Sequence, residues 1–111
     1  MLTDIKADNE ERTSLYFDHG MDVNMQFDQK EKDRTPMHIA SEAGSLNVLL
    51  ALISRGAGVD PTDNIESTPL HLAIENNKFA CVRSLIELGA DVEQGDAYKR
   101  TPIMLACKQG S

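Results

Sequence analysis

The chain has no tryptophan, and aromatic residues make up only 5% of its 111 positions. A core, if there is one, must therefore be built from Leu, Ile, Val, Ala and Met. Cysteine is nearly absent: Cys81 and Cys107 are the only two, too few for a disulfide scaffold, and they read as reduced, buried small side chains of a cytoplasmic or nuclear protein. No run approaches the 18 or so consecutive apolar residues that a membrane-crossing helix needs. The start, Met1-Leu2-Thr3-Asp4, has neither the basic region nor the apolar core of a secretory signal. Excess positive charge is lacking too. The net charge is −7 and the pI about 4.8, which argues against nucleic acid or an anionic membrane as partner, because binding phosphate needs clustered Lys and Arg.

Catalytic signatures are missing as well. None of Ser14, Ser41, Ser45, Ser54 and Ser67 sits in a G-x-S-x-G context, and neither cysteine has a motif-placed His partner. His38 and His71 have no Cys or carboxylate at zinc-ligand spacing. The seven glycines fall mainly where helices end and turns form, not in a phosphate-binding loop. The expectation is a non-enzymatic chain with no catalytic residue, no metal and no cofactor.

What the chain does have is a period. Thr35-Pro36-Met37-His38-Ile39-Ala40 returns as Thr68-Pro69-Leu70-His71-Leu72-Ala73, and again as Thr101-Pro102-Ile103-Met104-Leu105-Ala106, each time 33 residues on. Self-similarity at such a step marks stacked helical units. Thr is suited to cap a helix N-terminus, and Pro at the first helical position gives up a donor that has no partner there anyway. An imidazole one turn inside the helix can join the Thr hydroxyl to a backbone group of the adjacent unit. A second cue keeps the same step: Gly56-Ala57-Gly58-Val59-Asp60 becomes Gly89-Ala90-Asp91-Val92-Glu93, with a weaker echo at Gly20-Met21-Asp22-Val23-Asn24.

On these motifs the chain resembles the ankyrin-repeat family from Lys32 to Ser111. The resemblance implies an all-α solenoid of helix-turn-helix units joined by hairpin-like turns. It divides the chain into a degenerate leading unit with tail over 1–31, complete repeats at 32–64 and 65–97, and a first helix only at 98–111. Helices are expected at 36–43 and 46–55, with Gly44 as left-handed cap and Asn77 replacing it one repeat later. In the second helix of the next repeat, Phe79, Val82, Leu85 and Ile86 are expected to form the buried stripe, with Cys81 beside them. Counting back 33 residues from Thr35 reaches Leu2-Thr3-Asp4-Ile5, so the leading unit's first helix is expected to be degenerate or absent. Eleven steps separate Asn24 from Thr35, against eight for Asp60 to Thr68, which places a three-residue insertion within Met25–Asp33. The chain stops at Gly110-Ser111, where a second helix should begin. That reads as a fragment boundary and as an uncapped face with some tendency to self-associate in an otherwise monomeric protein.

Function follows from the resemblance as an expectation: a scaffold or adaptor holding a protein or peptide, of basic character, on a concave and mildly acidic side. Its candidate contacts are Lys32 and Arg34, Asp63 and Glu66, and Asp96, Tyr98 and Arg100 on the turn tips (Lys30–Arg34, Asp63–Ser67, Asp96–Arg100). On the helix face they are Glu42, Glu75 and Asn76, with Ala43, Lys108 and Gln109 nearby. Thr35, Pro36, His38, Gly44, Thr68, Pro69, His71, Thr101 and Pro102 are assigned structural roles. The alternative is the ankyrin segment of a larger enzyme or channel that positions its substrate. Lys32-Asp33-Arg34-Thr35-Pro36, Ser41-Glu42-Ala43-Gly44 and Glu75-Asn76-Asn77 look like the leading repeats of the euchromatic histone lysine methyltransferases. The lack of Trp leaves this chain without the usual material for the methyl-lysine cage of that family.

Overall fold

A capped, proline-led helix followed by a left-handed turn and a second helix is the local unit, and the computed structural model shows how it stacks. It describes residues 2–27 and 32–109. Seven helices follow in order: α1 Leu2–Lys6, α2 Glu10–Asp18, α3 Pro36–Ala43, α4 Leu46–Ser54, α5 Pro69–Glu75, α6 Phe79–Glu87 and α7 Pro102–Gln109. Among the described residues there is no strand. The first helices α1, α3, α5 and α7 pack side by side in one row, and α2, α4 and α6 in a second, giving an elongated body of 40 × 26 × 22 Å. No described helix is long and apolar enough to cross a membrane.

Each first helix starts where its chemistry requires. The Thr35 hydroxyl accepts from the His38 amide at 3.5 Å while the Thr35 amide donates to His38 Nδ1 at 3.1 Å, so the two residues satisfy each other's backbone donors. Thr68 and His71 repeat the exchange at 3.4 and 3.1 Å. Past the helix ends, Gly44 has φ 77° and Asn77 φ 58°, as the left-handed turn at both positions demands. Lys78 lies over Gly44 so closely that a Cβ there would sit 2.8 Å from its Cδ.

The leading unit, whose first helix was expected to be degenerate or absent, has a degenerate one. Its first helix is present as α1, short but anchored, with Ile5 fully buried in the common core. Because of the three-residue insertion, the step from this unit to the next is 36 residues, which aligns Asp8 with Gly44 and Asn77; Asp8 indeed has φ 55°. Its carboxylate then caps the following unit, accepting from the Val48 amide at 2.9 Å and the Asn47 side chain at 3.0 Å. That service matters because Ser45, at the N-cap of α4, makes no side-chain cap of its own. Asn9 caps α2 by accepting from the Arg12 amide.

The core runs through the stack as one cluster that includes Met37, Val48, Leu49, Leu52, Leu70, Cys81, Leu85 and Leu105. Two expectations are corrected here. Phe79 and Ile86 are exposed, since only Cys81 and Leu85 of α6 are buried against the preceding unit. Cys107 is exposed on α7, not a buried small side chain.

Candidate functional site

The turn tips and the helix ends beside them were the expected contact surface, and their geometry sorts those residues into two groups. The first group holds the tips in shape. Asp63 is buried, and its Oδ1 accepts from the amides of Ile65 at 3.0 Å and Ser67 at 2.9 Å. Asp96 is buried in the same way, accepting from Tyr98 and Arg100 at 2.9 Å each. Both tips close with a backbone pair, Asp63 N–H to the Ser67 carbonyl at 3.1 Å and Asp96 N–H to the Arg100 carbonyl at 3.0 Å. The carboxylates of these aspartates, expected on the contact surface, are buried and occupied in holding the turn. A signal was present in the sequence: an Asp recurs five residues before each of Thr68 and Thr101, while in the tip that carries the insertion Phe27, eight residues before Thr35, makes the equivalent backbone bond to the Arg34 carbonyl at 2.8 Å.

The arginines are likewise engaged. Arg34 reaches the Asp63 carboxylate at 3.4 Å and pairs with Glu42. Arg100 donates to Asp96 at 2.7 and 2.8 Å and lies 3.8 Å from Glu75. Burial by itself would push the Asp96 carboxyl up. Hydrogen bonds from the backbone and side chain of Arg100 and from the Tyr98 amide, with the attraction of the guanidinium, outweigh it and hold the group below the usual carboxylate range. Arg100 is held above its ordinary value by the same bond to Asp96. The charges of Glu42 and Glu75, expected to make this side mildly acidic, are each offset by an arginine beside them.

The second group is exposed to solvent. Lys32, Glu66 and Tyr98 are exposed on successive tips, and Asn76 is exposed at the end of α5, with its amide donating to the Leu72 carbonyl at 2.8 Å. Lys32, Glu66 and Lys99 have φ of 59°, 60° and 62°, a left-handed kink that turns the tip over. Tyr98 is the largest exposed side chain of this surface at 67%, with the Arg100 guanidinium 5.2 Å from its ring centroid. Lys30 belongs to the same expected surface but lies outside the described residues, as do residues 28–31 of the insertion. The described remainder of the insertion is tied down: the Gln26 side chain donates to the carbonyls of Asp33 at 3.1 Å and Thr62 at 3.4 Å.

Neighbouring tips are bound to each other by backbone. Asn64 N–H donates to the Lys32 carbonyl at 2.9 Å, and Ala97 N–H to the Ile65 carbonyl at 2.8 Å. The histidines add a second tie. His38 Nε2 contacts the Ser67 carbonyl at 2.7 Å and His71 Nε2 the Arg100 carbonyl at 2.8 Å. Since Nδ1 of each ring accepts from a Thr amide, Nε2 carries the proton and donates. Burial holds the His38 imidazole below its usual range, with the Ser67 carbonyl and the Asp63 charge opposing the shift. Both ring nitrogens of each histidine are occupied, and among the described residues no group of three His, Cys, Asp or Glu could hold a metal ion.

Comparison with family models agrees with this architecture. A model described as ankyrin repeats (3 copies) matches residues 55–111, and one described as ankyrin repeat matches 32–64. A search of the curated proteins finds no significant match. With the stacked helix pairs, the Thr-Pro-x-His caps and the tied tips all in register with those matches, the chain belongs to the ankyrin-repeat family, whose members are generally protein-interaction modules and typically not catalysts.

Proposed function

We propose that this chain is a scaffold or adaptor that holds a protein or peptide partner across its turn tips and the adjoining ends of α3 and α5. The observation that carries this reading is the division of labour at the tips. Asp63, Asp96 and the backbone hold the shape, so the exposed side chains of Lys32, Glu66 and Tyr98, with Asn76 beside them, are presented from a rigid frame. Rigid presentation of a few exposed side chains lowers the ordering cost of binding, and an exposed tyrosine beside an arginine is the kind of anchor that dominates interface energies. The partner is of basic character, drawn by a chain of net charge −7.

A role as the substrate-positioning segment of a larger methyltransferase is the weaker reading. Phe17 is buried and Phe27 packs on the core, while Tyr16 is bonded to Asp4 in the leading unit and Tyr98 stands on the last tip. The aromatic residues do not converge as a methyl-lysine cage requires. For the repeat boundaries, we place the units at 32–64, 65–97 and from 98 onward, with 1–31 as a divergent leading unit.

The test is an affinity capture with the wild-type chain and with a Lys32→Ala, Glu66→Ala, Tyr98→Ala variant, after circular dichroism has shown equal folding. Loss of the captured protein by the variant supports the tip surface. Equal capture by both places the binding site elsewhere.

A further inference from the structure

The tips and the first-helix ends are built to one pattern, so positions 33 residues apart can be compared for charge. At the turned-over position of the three tips stand Asp33, Glu66 and Lys99, with φ of 55°, 60° and 62°. The last two are held alike, Glu66 N–H donating to the Asp63 carbonyl at 3.0 Å and Lys99 N–H to the Asp96 carbonyl at 2.9 Å. In the last turns of α3, α5 and α7 the equivalent residues are Glu42, Glu75 and Lys108. Both rows read acid, acid, base. From Ala97 onward the sequence has Lys99, Arg100 and Lys108 and no acidic residue, within a chain whose net charge is −7.

The arginines register the change of sign. Arg34 pairs with Glu42, eight residues on in its own unit, and with Asp63 on the next tip. Eight residues after Arg100 stands Lys108, a cation that cannot accept from it. Arg100 is held by Asp96 of its own tip and reaches back to Glu75 of the unit before, at 3.8 Å. With those pairs offsetting one another, few charges are left over. Lys32 and Asp33 are adjacent and of opposite sign. Glu66 on the second tip, Lys99 on the third and Lys108 on α7 are exposed and in no ion pair among the described residues. The charge left over is negative at the second tip and positive in the third unit, opposite there to the chain as a whole.

We propose that the tip surface takes a peptide segment of two signs laid along the stack, with a basic residue over Glu66 and an acidic pair over Lys99 and Lys108. This rests on the tip reading above and refines its partner, which is basic overall but turns an acidic stretch to the third unit. First helices packed side by side stand about 8–10 Å apart, and so do equivalent positions on successive tips. An extended chain covers that distance in about three residues. The cation and the first acid of the segment are therefore about three residues apart, and an apolar side chain next to the acid meets the ring of Tyr98, 67% exposed on the same tip as Lys99. A uniformly basic segment would meet like charge at Lys99 and Lys108, and a uniformly acidic one at Glu66. The alternation of sign thus selects the direction of the segment as well as its composition.

The probe is the peptide acetyl-Lys-Lys-Ser-Leu-Glu-Glu-amide, titrated into the isotope-labelled 111-residue chain and followed by backbone amide shifts in NMR. Saturable shifts at Glu66, Tyr98, Lys99 and Lys108 are expected, with a Kd of about 0.1–1 mM. A nitroxide on the acidic end should broaden the Lys99 and Lys108 amides more than that of Glu66, and one on the basic end the reverse. Lys99→Glu combined with Lys108→Glu gives the third unit the residues that the second has at the same places. It should weaken the peptide about tenfold, since two exposed ion pairs become repulsions, and acetyl-Lys-Lys-Ser-Leu-Lys-Lys-amide should recover the loss. If circular dichroism shows that variant unfolded, Glu66→Lys serves instead, with an expected weakening of about two- to fivefold. Shifts at the tips with the all-lysine peptide binding the wild-type chain as tightly as the two-sign peptide would overturn the proposal and leave the tip surface standing. So would unchanged affinity in the charge variants, or broadening that does not follow the labelled end. No saturable shift, or shifts confined to residues away from the tips, would remove the tip surface and the proposal together.

Discussion

Replacing His38 by Ala tests whether the imidazole is the tie between units or only a helix cap. The side chain is fully buried, and so are the two backbone groups it serves: the Thr35 amide, 3.1 Å from Nδ1, and the Ser67 carbonyl, 2.7 Å from Nε2. Truncation leaves a donor and an acceptor without partners, at about 1–3 kcal/mol each, plus a ring-sized void. Water entering that void would recover part of the loss, so the net cost is about 2–5 kcal/mol. Against a total stability of about 5–15 kcal/mol this is a large fraction. His71→Ala should cost less. Its Nε2 meets the Arg100 carbonyl at 2.8 Å, but that residue is only partly buried and solvent can replace the lost donor. Urea melts at pH 7.5, followed by circular dichroism at 222 nm, measure both, with the m-value checked because repeat stacks can lose two-state behaviour. A His38→Ala loss below about 1 kcal/mol, or a larger loss for His71→Ala, would refute the reasoning.

Acidification should destabilise the fold in steps. His38 titrates lower folded than unfolded, so the folded state binds fewer protons; the contribution of His38 is complete above about pH 6.5 and is lost as pH falls through the folded value. Asp96, also lowered, contributes above about pH 3.9 and loses that contribution below it. A urea midpoint that stays flat from pH 7.5 to 5, or one that falls equally in His38→Gln, would sink the assignment to His38. Leu85→Ala should cost about 2–4 kcal/mol, because the side chain is fully buried between α6 and the preceding unit, and an unchanged thermal melt would show that the seam is not packed there. Asn77→Gly should range from neutral to about 1 kcal/mol stabilising, since its φ is 58°. Gly44→Ala should lose about 1 kcal/mol or more, from φ 77° and the Lys78 side chain above it. A clear loss in the Asn77→Gly melt, or an unchanged Gly44→Ala melt, would sink the left-handed assignment.

The parts of the fold legible in the sequence are those where a residue type answers a demand of its own backbone. Thr35, Pro36 and Gly44 state the start and stop of α3 without reference to anything distant, and the helix follows their spacing closely. His38 was legible for the same reason on one side of its ring; only the 33-residue repeat suggested what the other nitrogen would find. Asp8 was missed, although it closes α1 in the conformation of Gly44, because the insertion near Met25 changes the step to 36 and shifts the count. Phe79 and Ile86 show a different limit. Periodicity places them on an apolar stripe, but whether a stripe is buried depends on what lies across from it, and no local pattern contains that. Asp63 and Asp96 misled for the opposite reason. An aspartate in a turn reads as surface by its charge, while its carboxylate is consumed by amides two and four residues on.

The two arginine sites explain how an acidic chain keeps its carboxylates close together on one side. Arg34 stands on the first tip and joins Glu42 on α3 to Asp63 on the second; Arg100 stands on the third tip and joins Asp96 there to Glu75 on α5. Between them, the position 33 residues after Arg34 and 33 before Arg100 is Ser67, a buried residue whose carbonyl receives the His38 bond. A cation is not required there: the second oxygen of Asp63 is taken by Arg34, and Glu75 is reached by Arg100. Two arginines therefore serve four carboxylates across three tips, and the bonds that fix the tips run through backbone and buried side chains. The side chains of Lys32, Glu66 and Tyr98 are exposed and stand outside this network of ion pairs, so exchanging them removes none of the ion pairs that hold its shape.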